Sequence, residues 1–270
     1  MKIHLLSLRT AACLAACSLA SFLSAAAPSD DTATVDLRPA FARWHLEPRA
    51  QGGRNTCSVF VVSGALEYAL ASQRDQGTRL SVEFLNWASN DAIGDNTDGG
   101  FFSDLWKGFL KHGICPEADL PYQDRFDPQL NPPPGARDNA SKLATTGLQL
   151  HWIKPWDVTT GLTDAHLKEI KRVLREKWPV CGGFRWPKAA HWEKDVLQMA
   201  PPEGVFDGHS VLLVGFREDP AQPGGGVFLI RNSGGGPRDG FMTYEYAGHY
   251  MNDAAWIDHD PAKPTPAVRP

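Results

Sequence analysis

The sequence has no apolar run of the roughly 20 residues that cross a bilayer as a helix; the N-terminal run, Thr10 to Leu23, stops at 14. A membrane span is therefore not expected. An excess of charge is lacking too: 27 Lys and Arg face 31 Asp and Glu, for a net charge of -4. That balance argues against nucleic acid or an anionic membrane as the main partner. Nine histidines are present, but none, His191 and His249 included, falls at a metal-ligand spacing. Cysteine is scarce, at five in 270 residues, so a disulfide-stapled scaffold is excluded.

What is present at the N-terminus reads as a targeting segment. Lys2 and Arg9 form a basic region, Thr10 to Leu23 an apolar one, and Ser24-Ala25-Ala26 a small-residue cleavage site. The expected mature protein begins after Ala26 and is secreted or periplasmic. The rival reading, Leu14-Ala15-Ala16-Cys17 as a lipoprotein box acylated on Cys17, leaves a very short apolar region before it. With Cys13 and Cys17 removed, Cys57, Cys115 and Cys181 remain. Three thiols permit at most one disulfide. Cys115 and Cys181 either pair or are both buried thiols.

Residues 28–56 read as an extended lead ending in the turn Gln51-Gly52-Gly53. The run "SVFVVSGALEYALASQR" from Ser58 has Val59, Val62, Leu66 and Leu70 at helical spacing, and its length favours a buried helix over a strand. Ser81 is an expected helix N-cap with Phe84 and Leu85 facing inward, and a third helix is expected over Ser103 to His112, stopped by Gly113. "DPQLNPPPGARDNAS", from Asp127, reads as a connection. One further helix is expected over Thr163 to Lys177. Then the period changes: "PVCGGF", "HSVLLVGF", "GVFLIRN" and "GFMTYEY" read as short strands. Helices first and strands later predict an α+β chain. Trp178, Trp186 and Trp192 are expected in the core or lining a cleft.

Cys57 lies where a helix begins, and free N–H groups with the positive end of the macrodipole favour a thiolate there. Such a nucleophile needs a base and a group to orient that base. His209 opens the strand "HSVLLVGF"; Asn232 closes "VFLIRN"; Gln51 carries an amide able to donate toward an oxyanion. The order Gln51, Cys57, His209, Asn232 resembles that of the papain-like cysteine peptidases (clan CA, family C1). "VDLR" at Val35 resembles the family's "VDWR", and "LSVEFL" at Leu80 its "LSEQEL". "DGGFFSDLWKGFLKHGICPEADLPY" is similar to its Gly-Gly to Tyr-Pro-Tyr segment. "GHSVLLVGF" and "VFLIRNSGGGPRDGFM" are similar to the segments that carry its histidine and asparagine. The likeness runs from Val35 to Glu245.

The resemblance implies a two-lobe fold, a helical left lobe and a β-rich, barrel-like right lobe with the cleft between them. The organisation expected is a signal peptide over 1–26, a peptidase domain over 27–262, mainly helical over 57–135 and mainly β over 136–262, and a loose tail over 263–270. Cys57 would be the nucleophile, His209 the base and then acid, Asn232 the orienting group, and Gln51 with the Cys57 N–H the oxyanion hole. Gly99 and Gly100 would bind an extended substrate backbone. The partner implied is a peptide or protein substrate, with an inhibitor or regulatory protein as a further partner; no cofactor and no metal are implied.

The sequence also departs from the pattern. Where the family has a cysteine three residues before the nucleophile it has Arg54, and the partner cysteine is missing near Thr97 and Asp98, so both halves of one disulfide are absent together. His209 and Asn232 lie 152 and 175 residues beyond Cys57, against roughly 130–150 in the family; "REDPAQPGGG" is an insertion. Gly234 replaces the tryptophan that covers the His–Asn hydrogen bond, which predicts a wetter bond. Only about 30 residues separate Ala26 from Cys57, too few for an inhibitory propeptide. Retention of all four residues favours a peptidase. The alternatives are a pseudo-peptidase acting as a binding module, favoured by Gly234 and the missing propeptide, and transpeptidation or isopeptide chemistry from the same acyl-enzyme.

Overall fold

The apolar run after Cys57 folds as expected, for a reason its valines obscure: burial on every side overrides their weak helix propensity. In a computed structural model that describes residues 33–259 except 145, 146 and 237, the chain begins with strand β1 (Thr34–Asp36) and a short helix α1 (Arg38–Arg43). Helix α2 (Cys57–Arg74) follows, with Val59, Val62, Ala65, Leu66 and Ala69 fully buried. Burying a leucine such as Leu66 stabilises the fold by about 1.5–3 kcal/mol. Helix α3 (Val82–Ile93) starts at Ser81, whose hydroxyl accepts from the Phe84 N–H at 2.9 Å. Helix α4 (Phe102–His112) ends at Gly113, whose φ is 75°.

The connection expected from Asp127 contains a helix instead, α5 (Pro134–Ala144). Its buried face is Ala136, Ala140 and Leu143, a helical spacing made of residues too small to stand out among prolines; proline itself suits a first helical position. Strand β2 (Leu148–Lys154) precedes helix α6 (Asp164–Arg175), capped by Thr163. The expected strands appear as β3 (Val180–Pro187), β6 (Val205–Glu218), β7 (Gly226–Arg231) and β8 (Asp239–Thr243), with two-residue strands β4 (Trp192–Glu193) and β5 (Val196–Leu197) between β3 and β6. The strand expected to continue to Tyr246 stops at Thr243, which caps helix α7 (Tyr244–Tyr250) by accepting from the Tyr246 N–H at 3.1 Å. Strand β9 (Met251–His259) closes the described chain.

The strands form one sheet in the order β2-β9-β3-β6-β7-β8-β5-β4, with β1 added along β6; all pairs are antiparallel except β5 with β8. Helix α2 packs against β6, β9 and β3, and against α3 and α4. The N-terminus of α2 thus meets strands that come from much later in the chain. The expected signal peptide, the lipoprotein box and the tail lie outside the described residues. No helix among the described residues is long and apolar enough to cross a membrane.

The three described cysteines are free, buried thiols. Cys115 sits in a small cluster with Phe84, Ala88, Ala136 and Ala140, Cys181 in the main core, so the two do not pair. Burial pushes the Cys115 thiol up to about 12 and the Cys181 thiol up as well.

Candidate active site

Cys57 is the first residue of α2, and its Sγ–H reaches the Gly208 carbonyl at 3.6 Å. That contact brings the helix start against the β6 segment carrying His209 and Ser210. Cys57, His209 and Ser210 line one cavity of about 400 Å³.

The His209 ring is held from the far side. Asn232, at the end of β7, is fully buried, and its Oδ1 lies 2.9 Å from His209 Nε2. The amide cannot be reversed: Asn232 Nδ2 donates to the Gly235 carbonyl at 3.0 Å, and Oδ1 also accepts from the Gly234 N–H at 3.0 Å. Oδ1 must therefore face the ring, so Nε2 carries the proton and Nδ1 keeps its lone pair. A neutral His209 in this tautomer is able to take a proton at Nδ1.

The expected wet bond beside Gly234 is not observed. His209 is 9 % exposed and Asn232 0 %. The Gly234 backbone lies so close that a Cβ there would sit 2.9 Å from His209 Cε1, and the Trp186 ring, from β3, lies 4.5 Å from the imidazole between centroids. Backbone and a tryptophan from another strand cover the histidine.

Burial sets the protonation of both groups. It pushes the Cys57 thiol up, against hydrogen bonds from Ser210, Ser58 and the Cys57 N–H that favour the thiolate. It pushes His209 down, against the Asn232 bond. Desolvation thus works against the thiolate that the helix start favours and against a charged imidazole, while the hydrogen bonds at both groups work for the charged forms.

Gln51 does not line the cavity. It is buried behind it, with its N–H donating to the Ser233 carbonyl at 2.9 Å and its Oε1 accepting from Ser233 Oγ at 2.8 Å. Its Nε2 donates to the Arg54 carbonyl at 2.7 Å, which leaves one amide hydrogen. Tyr122 fixes this turn: its hydroxyl donates to the Gln51 carbonyl at 2.8 Å and accepts from Thr56 Oγ1 at 2.6 Å.

Where both cysteines of the family's disulfide are absent there is an ion pair. Arg54 Nη2 lies 2.8 Å from Asp98 Oδ1, and Nη1 lies 2.5 Å from Glu83 Oε2 and 2.9 Å from the Gln123 carbonyl. Its guanidinium stacks 4.7 Å from the Tyr122 ring. Burial opposes the charge, but the bonds to Asp98 and Glu83 outweigh it and push the Arg54 pKa up. Asp98 also accepts from the Asn55 N–H at 3.2 Å, linking the glycine strip to the turn before Cys57.

The two glycines separate in role. Gly99 is buried, has φ +98°, and donates its N–H to Asn86 Oδ1 at 2.9 Å; it lets the backbone turn beside Asn55. Gly100 is exposed and lines the cavity, its N–H 3.3 Å from Ser58 Oγ. Sequence reasoning missed Asn252 and Asp253, which also line this cavity, and it did not place Trp186 against His209. No local signal marks the first two, because strand β9 was itself not recognised.

No family model matches the sequence, and no curated protein matches it. Solved structures do. Xylellain, a cysteine protease from Xylella fastidiosa, is 23 % identical with a TM-score of 0.64 over 84 % of this chain and 86 % of its own. Digestive procathepsin L 3 of Tenebrio molitor larval midgut is 20 % identical with a TM-score of 0.59 over 84 % and 69 %. The ragweed pollen allergen Amb a 11, a cysteine protease in its proform, is 20 % identical with a TM-score of 0.60 over 84 % and 66 %. The α+β fold read from the order of helices and strands is theirs: the chain has the papain-like fold of these cysteine proteases.

Proposed function

We propose that the protein is an exported cysteine peptidase that cleaves peptide bonds through an acyl-enzyme on Cys57. The observation that carries this reading is the fixed tautomer of His209, whose free Nδ1 shares a cavity with a thiol at a helix start. As Cys57 attacks the carbonyl carbon, its proton passes to Nδ1. The oxyanion that forms is stabilised by the Cys57 N–H, while Gln51, which does not line the cavity, holds the turn that presents Cys57 through its bonds to Arg54 and Ser233. His209 then gives the proton to the leaving amine, and water, deprotonated by the same nitrogen, releases the acid. Asn232 positions the ring throughout, and Gly100 aligns the substrate backbone. Export rests on the sequence before Ala26. The binding-module alternative drew on a wetter His–Asn bond and on the missing propeptide, and the burial of that bond weighs against the first of these.

The test is alkylation of Cys57 by iodoacetamide at pH 7, read by mass spectrometry. Burial disfavours the thiolate, so a base at His209 that takes the thiol's proton is expected to speed alkylation, and His209→Ala is expected to slow it about tenfold or more. Equal rates in both proteins sink the catalytic reading.

A further inference from the structure

The cavity beside Cys57 has a floor that catalysis does not use. Gly183, Asn252 and Asp253 lie there, while Phe101, Trp156 and Phe184 supply apolar wall. The floor results from an irregularity in pairing. Strand β9 pairs Asp253 with Gly183 and then Met251 with Phe184, so Asn252 is an extra residue. In a regular strand, neighbours point to opposite faces; this bulge lets both Asn252 and Asp253 line one cavity. Gly183 completes the arrangement, because a Cβ there would overlap Asp253 Oδ1.

Both side chains are buried, at 7 % and 5 % exposure, and both are short of partners. Asn252 Oδ1 makes no hydrogen bond. The Asp253 carboxylate makes no hydrogen bond or ion pair among the described residues. Burial pushes its carboxyl up to about 7, against the pull of Lys154. That lysine, on β2, is committed elsewhere: its Nζ donates to the Asn252 and Thr159 carbonyls. Unmet acceptors in a buried place are costly, and here they border a space of about 400 Å³, large enough for a ligand group. A donor-rich cation satisfies them. The rim suits its stem: Phe101 and Trp156, 51 % and 46 % exposed, meet edge to face with centroids 5.2 Å apart.

We propose that this cavity seats a lysine or arginine side chain of the peptide substrate, its cationic head on Asp253 and Asn252 and its stem between the aromatic walls. The assignment rests on the peptidase reading for its catalytic consequence, but not for binding. Besides Lys154, the titratable groups around the carboxyl are Cys181 on β3 and, lining the cavity, Cys57 and His209.

The experiment takes a mixed peptide library, and then matched peptides with arginine or norleucine at the position the library selects. Cleaved bonds are expected to carry Lys or Arg within three residues. At pH 8 the arginine peptide is expected to exceed the norleucine peptide about 30-fold in kcat/KM, the scale of a hydrogen bond to a charged group. Asp253→Asn and Gly183→Ala each reduce that ratio to below about threefold. The ratio falls about tenfold from pH 8 to pH 6 as the carboxyl takes its proton; effects of His209 cancel in it. Calorimetric titration of Cys57→Ala with the same two peptides separates binding from chemistry. Tighter binding of the arginine peptide without cleavage by wild type supports the cavity and ends the peptidase reading. Cleavage with no arginine preference, or a preference that Asp253→Asn leaves intact, overturns the cavity assignment and leaves the peptidase reading standing.

Discussion

Arg54 and Asp253 are equally hidden, each 5 % exposed, and their surroundings are opposites. Arg54 is met by two carboxylates, a carbonyl and an aromatic face. Asp253 is met by space. Arg54 joins the turn before Cys57 to Asp98, the place where both halves of the family's disulfide are absent, so its charge does structural work. Asp253 is kept unpaired by a bulge and a glycine, an arrangement that stability alone does not explain. A buried charge with every partner supplied by its own chain holds the fold; one left facing a cavity awaits a partner from outside.

The strongest way to break that contrast is to delete the paired cation. Arg54→Met strands Glu83, which is 1 % exposed, and losing one partner of a buried pair costs about 3–5 kcal/mol. Calorimetry should record a fall in Tm of roughly 10 °C; a shift within two or three degrees would mean the network is incidental. Asp253→Asn should do the reverse. Its carboxyl is pushed up to about 7 from 3.8, so the folded protein retains a proton that the unfolded chain has already released. Wild-type stability therefore declines as pH rises from about 4 to 7 and is level above that. The Asn variant should lack this slope and be the more stable protein at pH 8, by on the order of 3 kcal/mol; urea melts at pH 5 and 8 measure it, and parallel slopes in both proteins refute it.

Gly234→Ala adds a case without charge. The new Cβ would sit 2.9 Å from His209 Cε1, and moving the ring should lower kcat/KM for any cleaved peptide about tenfold with little change in Tm. An unaltered rate would show that the ring has slack. Tyr122→Phe is the smallest. It keeps the ring under Arg54 and removes only the hydroxyl between Thr56 and Gln51, a loss of about 1 kcal/mol. A larger loss in urea would move the stabilising role from the cation to the phenol.

The sequence was legible where structure is local. Ser81, Thr163 and Gly113 mark helix ends by their own chemistry, and α2 declares itself by length. Cys57 and Asn232 were legible as candidates because each sits at the edge of a recognisable element; His209, read as opening its strand, lies inside β6, which begins at Val205. Helix α5 was hidden by prolines and an alanine face, and α7 by Tyr244 and Tyr246, aromatic residues that suit strands equally well. Asn252 and Asp253 could not be found at all. Their meaning depends on which residue of β3 stands opposite, and a one-residue shift in pairing decides whether they face the cavity. Trp186 is similar: its place against His209 follows from the pairing of β3 with β6, two segments separated in the chain.

The pair of hydrogen bonds between Gln51 and Ser233 has a mechanical consequence. One end is anchored to the turn that delivers the nucleophile, the other to the loop that orients the base, from opposite ends of the chain. Separating them requires both bonds to break together, so any breathing of the cleft pivots about this clasp.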